Sequence, residues 1–380
     1  MTCLRKHFLS YVVGLRRIVD EKPLRMGKVF HIGLDLRAKG LSSEKAVTEA
    51  LKFYDTGFDN VAEESLPDWL LEREIVGRLL SGYFWRWSEP DHQIKILESE
   101  RFFEMPIVNP DTGRSSRTYR AFGVVDKIGM LPDNRLTNVE HKTTSTDLSP
   151  ESDYWKRLRI DSQISMYVLA AQYLGYDINT TLYDVTRKPT LAKPITLTQK
   201  ATAELILSGR YLHKFTKDEK LTVIDTYDVK YDKVSFAVNA QEAQIVPGKK
   251  GFAIIETLEM YGDRLTADIA RRPDFYFARR EIHRLESDLD DARYELWQTA
   301  KILRDCYRHG RWPRNTGACI GYGTCPYFDL CTNGYDPESG LIPEGYEIAK
   351  NVHPELEQKE NNNESSTNKT ADKTQLAATV

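Results

Sequence analysis

The sequence lacks what would place it in several large classes. None of its apolar runs approaches the roughly 18 residues that a membrane-crossing helix needs. Its start lacks the long apolar stretch of a secretory leader, because Tyr11-Val-Val-Gly-Leu15 is brief and runs straight into Arg16-Arg17. Neither sign of charge dominates: the 380 residues carry a formal net charge of −3. Cysteine is scarce and odd in number, at five, which argues against a disulfide framework in a chain read as soluble and cytoplasmic. No internal repeat is visible, which excludes a solenoid or propeller.

What is present suffices for a core, with 41% apolar and 11% aromatic residues, in one large domain or two small ones. The charge is uneven. Residues 1–30 hold seven Lys and Arg against two acids, and residues 301–315 hold five against one. Local basic surface of this kind suits a nucleic-acid partner, and equally an ordinary solvated helix face. From about Val352 the composition turns to Asn, Glu, Ser, Thr and Lys without aromatics. Such residues bury too little to offset their ordering entropy. The reading is one domain over 1–345 and a disordered polar tail over 346–380.

Periodicity predicts helices at 1–20, from 25 to 38, at 42–54 and at 64–86, then strands at 93–104, 117–130 and 136–143. A helix over Arg159–Leu174, with Ile160, Ile164, Tyr167, Val168 and Ala171 on one face, precedes a strand at 179–187. This order implies an α/β fold, a mixed central sheet flanked by helices. Residues 188–272 read as an elaboration within the domain, with helical patches at 201–214 and 251–262 and strand-like runs near 222–237. A long helix at 284–308 presents a seam of Leu285, Leu289, Ala292, Leu296, Thr299, Leu303 and Cys306. On that seam Cys306 reads as a buried thiol.

The most informative stretch is Gly123-Val-Val-Asp126 followed by Glu140-His141-Lys142. A Leu131-Pro-Asp-Asn-Arg135 turn signal separates the two apolar runs. On a strand, Glu140 and Lys142 share one face. Folding the chain at Asp133 brings position 126 opposite position 140. Two carboxylates a few Å apart form a hard-cation site, and a lysine beside them completes an apparatus for metal-assisted phosphodiester hydrolysis. Mg²⁺ or Mn²⁺ held by Asp126 and Glu140 would clamp the phosphate, with the backbone carbonyl of His141 placed to complete the oxygen shell. Lys142 can orient the attacking water or stabilise developing charge. Gln163 and Tyr167, at i and i+4 on the following helix, can both point at the site.

With these residues in place, the sequence resembles the PD-(D/E)XK nuclease superfamily, and within it the RecB-type branch with an iron–sulfur staple, which includes phage-type and CRISPR spacer-acquisition exonucleases. The resemblance covers roughly 1–187 and 273–335. Gly27-x-x-x-His31 matches the upstream histidine motif, whose imidazole is a metal ligand in the family and suits Mn²⁺ better than Mg²⁺. Gly123-x-x-Asp126, Glu140-x-Lys142 and Gln163-x-x-x-Tyr167 match the metal-binding aspartate, the glutamate with the catalytic lysine, and the motif typical of the branch. A restriction-endonuclease-like core with additional helices is implied.

Cys319, Cys325 and Cys331 fall within 13 residues, a metal-ligand clustering. They resemble the cysteine trio of the branch, and Cys3 resembles its first cluster cysteine. The resemblance implies a 4Fe–4S cluster that ties the two ends of the nuclease together. Four thiolates also suit zinc, and free thiols are the remaining alternative. Five residues separate Cys319 from Cys325 where the branch often has two; Gly321-Tyr-Gly323 lets that longer loop turn back.

The function so implied is a metal-dependent DNA nuclease of exonuclease type, acting on single strands or duplex ends in recombination, repair or phage DNA processing. The alternatives are a non-catalytic nucleic-acid-binding or assembly subunit with the same fold, and a restriction-type endonuclease. No Gly-x-x-x-x-Gly-Lys-Ser/Thr motif occurs, so unwinding would come from a helicase or recombination partner.

Overall fold

The computed structural model of the chain describes residues 3–18, 22–58, 61–89, 94–192, 194–198, 201, 215–217, 226–231, 234–239, 244–247, 252–321 and 323–353. It opens with a short helix, α1 (Leu4–His7), continued by a π-helical turn over Phe8–Val12. Gly14, at φ +83°, takes the left-handed conformation that a side chain resists, and strand β1 (Leu15–Arg17) follows. The helix expected over 1–20 is therefore broken at Gly14.

Three helices then form one layer: α2 (Lys22–Ala38), α3 (Ser43–Gly57) and α4 (Leu66–Arg86). Ser42 caps α3 by accepting from the Lys45 N–H, and Pro67 occupies the first turn of α4, where its missing N–H costs nothing. Their apolar faces meet in a core that includes Val29, Phe30, Tyr54, Leu79 and Leu80. At Gly33 a Cβ would lie 2.9 Å from the Leu80 methyls, so glycine lets α2 and α4 cross closely. Arg25 of α2 grips the buried Glu72 of α4 at 3.1 and 2.9 Å, and Tyr54 donates to the same carboxylate at 2.8 Å. This pairing fixes the helix that carries His31.

The central unit follows: β2 (Lys95–Val108), β3 (Ser115–Met130), β4 (Leu136–Thr144), α5 (Asp153–Leu158), α6 (Ser162–Tyr173) and β5 (Thr180–Arg187). Asp161 caps α6 by accepting from the N–H groups of Gln163 and Ile164. Helix α6 therefore starts at Ser162, and Ile160, expected on its apolar face, is 88% exposed, whereas Ile164, Tyr167, Val168 and Ala171 are buried as expected.

Between β5 and the end of the sheet lie β6 (Thr196–Thr198), β7 (Phe215–Lys217), β8 (Thr226–Tyr231), β9 (Val234–Asn239), β10 (Gln244–Pro247), β11 (Phe252–Ile255), α7 (Leu258–Arg271) and α8 (Pro273–Tyr276). The strand-like run near 222–237 is the β8–β9 hairpin in its described part. The helix expected at 251–262 is instead β11, paired with β10 and β6, followed by α7, which Thr257 caps. Most of the patch expected at 201–214 lies outside the described residues.

Strand β12 (Phe277–His283) completes a five-stranded sheet in the order β12-β5-β4-β3-β2. β4 and β5 run parallel, as their crossover through α5 and α6 requires, and the other neighbours are antiparallel. This is the mixed sheet flanked by helices of a restriction-endonuclease-like core. Helix α9 (Glu286–His309) packs Leu289, Ala292 and Ala300 on the cluster formed by α6, β2 and β3, and buries Cys306. Leu285, expected in its seam, is the N-cap residue and is 69% exposed. A short helix α10 (Phe328–Thr332) and strand β13 (Tyr346–Ile348) follow. β13 pairs antiparallel with β1, so the polar tail expected from 346 does not begin there. Residues 354–380 lie outside the described residues. Among the described residues, no helix is long and apolar enough to cross a membrane.

Candidate active site

The β3–β4 hairpin turns where the sequence places it, with Asn134 at φ +67° inside the turn. Its ladder runs from Met130↔Leu136 to Lys127↔Val139, which leaves Asp126 and Glu140 as the next facing pair. The ladder stops at that point. The His141 N–H donates to Asp126 Oδ2 at 3.1 Å, and the His141 carbonyl lies 3.1 Å from His31 Nε2. Side chains thus replace the strand pairing where the two acids stand, and the His141 carbonyl is directed at the site.

His31 reaches the site from α2. A carbonyl can only accept, so Nε2 carries the ring proton and Nδ1 presents its lone pair, 3.6 Å from Asp126 Oδ2. Burial lowers the His31 pKa and outweighs the opposing pull of Asp126, keeping the ring neutral. Two electron-pair donors therefore face each other across 3.6 Å. Donors about 2.1 Å from one cation span at most about 4.2 Å, so this gap fits a divalent ion between them.

A residue that the sequence reading missed completes this half of the site. Glu100 of β2 brings its carboxylate within 4.8 Å of the ligand atoms of both His31 and Asp126. Its φ of +49° is one of two left-handed values among described non-glycine residues. Such a conformation costs on the order of 1–3 kcal/mol. Burial, then the charges of Asp126 and Asp35, push the Glu100 pKa up to about 7.

Glu140, 2% exposed, forms an ion pair with Lys142 through Oε1, while Oε2 is buried without a hydrogen-bond partner. Burial dominates and, with Asp126 nearby, raises the Glu140 pKa to about 8 despite the lysine. An orphaned carboxylate oxygen beside Asp126 and a backbone carbonyl is a donor set suited to Mg²⁺ or Mn²⁺. Gln163 Nε2 donates to Tyr167 Oη at 3.0 Å, and Tyr167 is close enough to Glu140 for that carboxylate to raise its pKa, second to burial. Lys142, Thr143, Thr144, Arg157 and Gln163 line a polar groove of about 480 Å³ beside the carboxylates. Lys142 and Gln163 thus share one groove, and Tyr167 neighbours Gln163 and Glu140, whereas Glu140 does not join the ligand atoms of His31 and Asp126 that lie within 4.8 Å of one another.

The opposite face of the sheet carries a buried polar network that sequence reading did not foresee, and Tyr83, Lys127, His141 and Arg279 line a cavity of about 420 Å³ there. Lys127 Nζ lies 3.1 Å from His141 Nε2, and both groups are buried. Asp184 of β5, 1% exposed, accepts from Tyr83 Oη at 2.5 Å and from Arg279 Nε at 2.9 Å. Burial lowers the pKa of both Lys127 and His141. The alternation along β3 and β4 sends Asp126, Glu140 and Lys142 to one face and Lys127 and His141 to the other.

The cysteines expected to act together converge from the two ends of the chain. The Asn315 N–H donates to Cys3 Sγ at 3.4 Å, and Cys319 Sγ lies 3.7 Å from the Asn315 carbonyl. The Cys325 N–H bonds the Cys319 carbonyl at 2.8 Å, and Gly323, at φ +92°, turns the loop between them. Burial raises the Cys331 thiol pKa, and both Cys325 and Cys3 are close enough to add to the shift. Tyr327 pins the ends by donating to the Leu15 carbonyl at 2.8 Å and accepting from Ser10 at 2.9 Å.

A family model described as the PD-(D/E)XK nuclease superfamily matches residues 1–332. No curated protein matches the chain.

Proposed function

The chain belongs to the PD-(D/E)XK nuclease superfamily, and from that membership we propose that it hydrolyses DNA phosphodiester bonds with Mg²⁺ or Mn²⁺ and acts as an exonuclease. The observation that carries the reading is Asp126 facing Glu140, with Lys142 paired to the latter. The bound cation would supply Lewis acidity toward the phosphate and toward the attacking water. Asp126, Glu140, His31 and the His141 carbonyl would hold it. Lys142, released from Glu140 once that carboxylate ligates, would place its ammonium against the phosphate. Gln163 and Tyr167 would fix the strand of DNA lying in the adjoining groove, with Arg157 balancing its charge.

Replacing Lys142 or Asp126 with Ala tests this. Cleavage of labelled DNA in Mn²⁺ should fall by at least about 100-fold, on the scale of removing one positioned electrostatic group, while DNA binding persists. Unchanged cleavage would sink the assignment. A wild-type chain that binds DNA without cutting would favour the assembly-subunit reading. Single- and double-stranded substrates labelled at either end separate exonuclease from restriction-type cleavage. Any unwinding would fall to a helicase or recombination partner.

The same reading assigns Cys3, Cys319, Cys325 and Cys331 to a structural 4Fe–4S cluster. Four thiolates converging from the two ends would also suit a tetrahedral zinc. Anaerobic purification should give a broad absorption near about 400 nm that Cys325→Ser removes. Stoichiometric zinc in its place would overturn the cluster.

A further inference from the structure

We propose that the cavity between α2, α4 and the face of the sheet opposite the acids binds a small phosphate monoester carrying an apolar ring, the class of a nucleoside monophosphate. The site needs no metal and stands apart from the nuclease reading.

The argument begins with a buried ammonium. Lys127 is 6% exposed and lines the cavity of about 420 Å³. An ammonium offers three donors. Among the described residues, its one hydrogen-bond partner is His141 Nε2, at 3.1 Å. The carboxylates that attract it are engaged elsewhere. Asp126 accepts from the His141 N–H on the other face, Asp184 holds Tyr83 and Arg279, and Asp35 pairs with Lys39. Glu100 lies with His31 and Asp126. Burial of Lys127 outweighs the pull of all four acids. Leaving a buried charge without close partners is costly, and an anion in the adjoining cavity removes that cost.

The lining sets the class of that anion. Its charged side chains are Arg37, Lys127 and Arg279, and all are cations. Asp184 neutralises Arg279 at 2.9 Å, and the Trp87 ring, 4.0 Å from the guanidinium carbon, holds it in place. Arg37 and Lys127 remain, two positive charges for one occupant. A phosphate monoester, with a charge of about −1.5 to −2 near pH 7, matches both, whereas a carboxylate matches one. Ser43, the first residue of α3, adds a helix N-terminus to the lining, where anions are favoured. Leu34, Phe84, Ile94 and Ile96 supply apolar surface for a ring. The volume falls within the range of about 300–1,000 Å³ usual for small-molecule sites. Lys127 and His141 directly follow Asp126 and Glu140 in the chain, so the occupant would sit across the sheet from the acids.

Calorimetric titration of the full chain with deoxythymidine monophosphate, in chelator and without DNA, tests the assignment. One molecule should bind, and thymidine or inorganic phosphate should each bind at least about tenfold more weakly. Lys127→Met should weaken the nucleotide by at least about tenfold, the scale of one lost charge-assisted hydrogen bond. Arg37→Gln, at an exposed position, should do the same and keeps the interior intact if Lys127→Met does not fold. Ala38 is exposed and lines the cavity, so Ala38→Trp fills it without removing a hydrogen bond and should abolish binding. Asp126→Ala, on the other face, should still bind. Melting temperatures equal to the wild type show that Arg37→Gln and Ala38→Trp are folded. A wild-type chain that does not bind the nucleotide, or an Ala38→Trp chain that binds it as well as the wild type, would overturn the proposal. Equal affinity for thymidine would overturn the phosphate assignment, and equal affinity for inorganic phosphate would overturn the ring.

Discussion

His31 Nε2 lies 3.1 Å from the backbone oxygen of His141, so a helix from one layer holds the strand carbonyl that the β3–β4 ladder leaves free. The contact fixes the ring tautomer and turns Nδ1 toward Asp126. Under the proposed function two tasks would meet in one imidazole, a structural donor on Nε2 and a metal ligand on Nδ1.

A substitution can separate the two tasks. In His31→Gln the amide nitrogen reaches the position of Nε2 and keeps the bond to the His141 carbonyl, but nothing replaces Nδ1. The variant should keep its stability within about 1 kcal/mol, the net worth of a hydrogen bond. Its Mn²⁺ affinity should fall by at least tenfold, or about 1.4 kcal/mol. Chemical denaturation in chelator and Mn²⁺ titration check the two parts. Equal losses in both would mean that the ring serves packing alone.

The acid row of Glu100, Asp126 and Glu140 also makes a prediction about pH. The folded chain holds the Glu100 proton more tightly than the unfolded chain, since the pKa rises from 4.5 to about 7. Its contribution to stability is therefore complete below about pH 4.5 and is lost as pH rises through about 7. Burial is the first cause and Asp126 and Asp35 add to it, while Lys127 and Lys39 oppose it. In chelator, Glu100→Gln should match the wild type at pH 5 and be more stable at pH 8. The gain should be on the order of 1 kcal/mol after discounting for the side chain's partial exposure. With saturating Mn²⁺ at pH 8 the order should reverse, because the wild type binds more cation in its folded state. Melting curves at the two pH values decide, and a variant less stable in chelator at pH 8 would contradict the repulsion.

These residues differ in how far the sequence exposes them. Asp126, Glu140 and Lys142 were legible because a turn centred on Asp133 and the period of two along strands fix their relation. Gln163 and Tyr167 were legible through the resemblance to the family's motif, since their helix spacing shows only that they share a face. Glu100 was not. It is one acid in the alternating Glu98-Ser-Glu100-Arg run, and its placement depends on a register shift between Ile96 and Glu98 and on its own left-handed backbone. Neither leaves a mark in composition. At Ile160 and at 251–262 the apolar pattern misled, because the capping groups of Asp161 and Thr257 set where the helices start. The β1–β13 pairing joins the two ends of the chain, and such non-local contacts leave no local pattern.

The network behind the sheet should be costly to break. Asp184 is buried, pairs with Arg279 and accepts from Tyr83. Asp184→Asn leaves the guanidinium without its counter-charge in the interior. The expected loss is about 3–5 kcal/mol, the range for removing one partner of a buried ion pair. Urea denaturation measures it, and a loss below about 1 kcal/mol would show that water reaches Arg279.

Arg284 offers the sharpest separation of structure from chemistry. It is 3% exposed and lies just after β12, away from the acid row. Its guanidinium donates to Ser165 Oγ at 2.7 Å and to the carbonyls of Leu158 and Asp161, each at 2.9 Å. These bonds bind the end of α5, the cap of α6 and the first turn of α6 into one unit. The same turn presents Gln163, and the next presents Tyr167. Arg284→Met keeps much of the volume but removes three hydrogen bonds, while the Leu158 and Asp161 carbonyls keep the N–H groups of Asp161 and Ser165 as donors. At about 1 kcal/mol for each hydrogen bond lost, stability should fall by about 3 kcal/mol. Because Arg284 touches none of the acids, Mn²⁺ affinity should be unchanged within about twofold, on the view that additivity holds between sites with no shared partner. Cleavage should suffer through misplacement of Gln163 and Tyr167, and should recover in Arg284→Lys only as far as the ammonium restores the bonds to Asp161 and Leu158. A variant that loses Mn²⁺ affinity along with stability would show that α6 and the acid row move as one body.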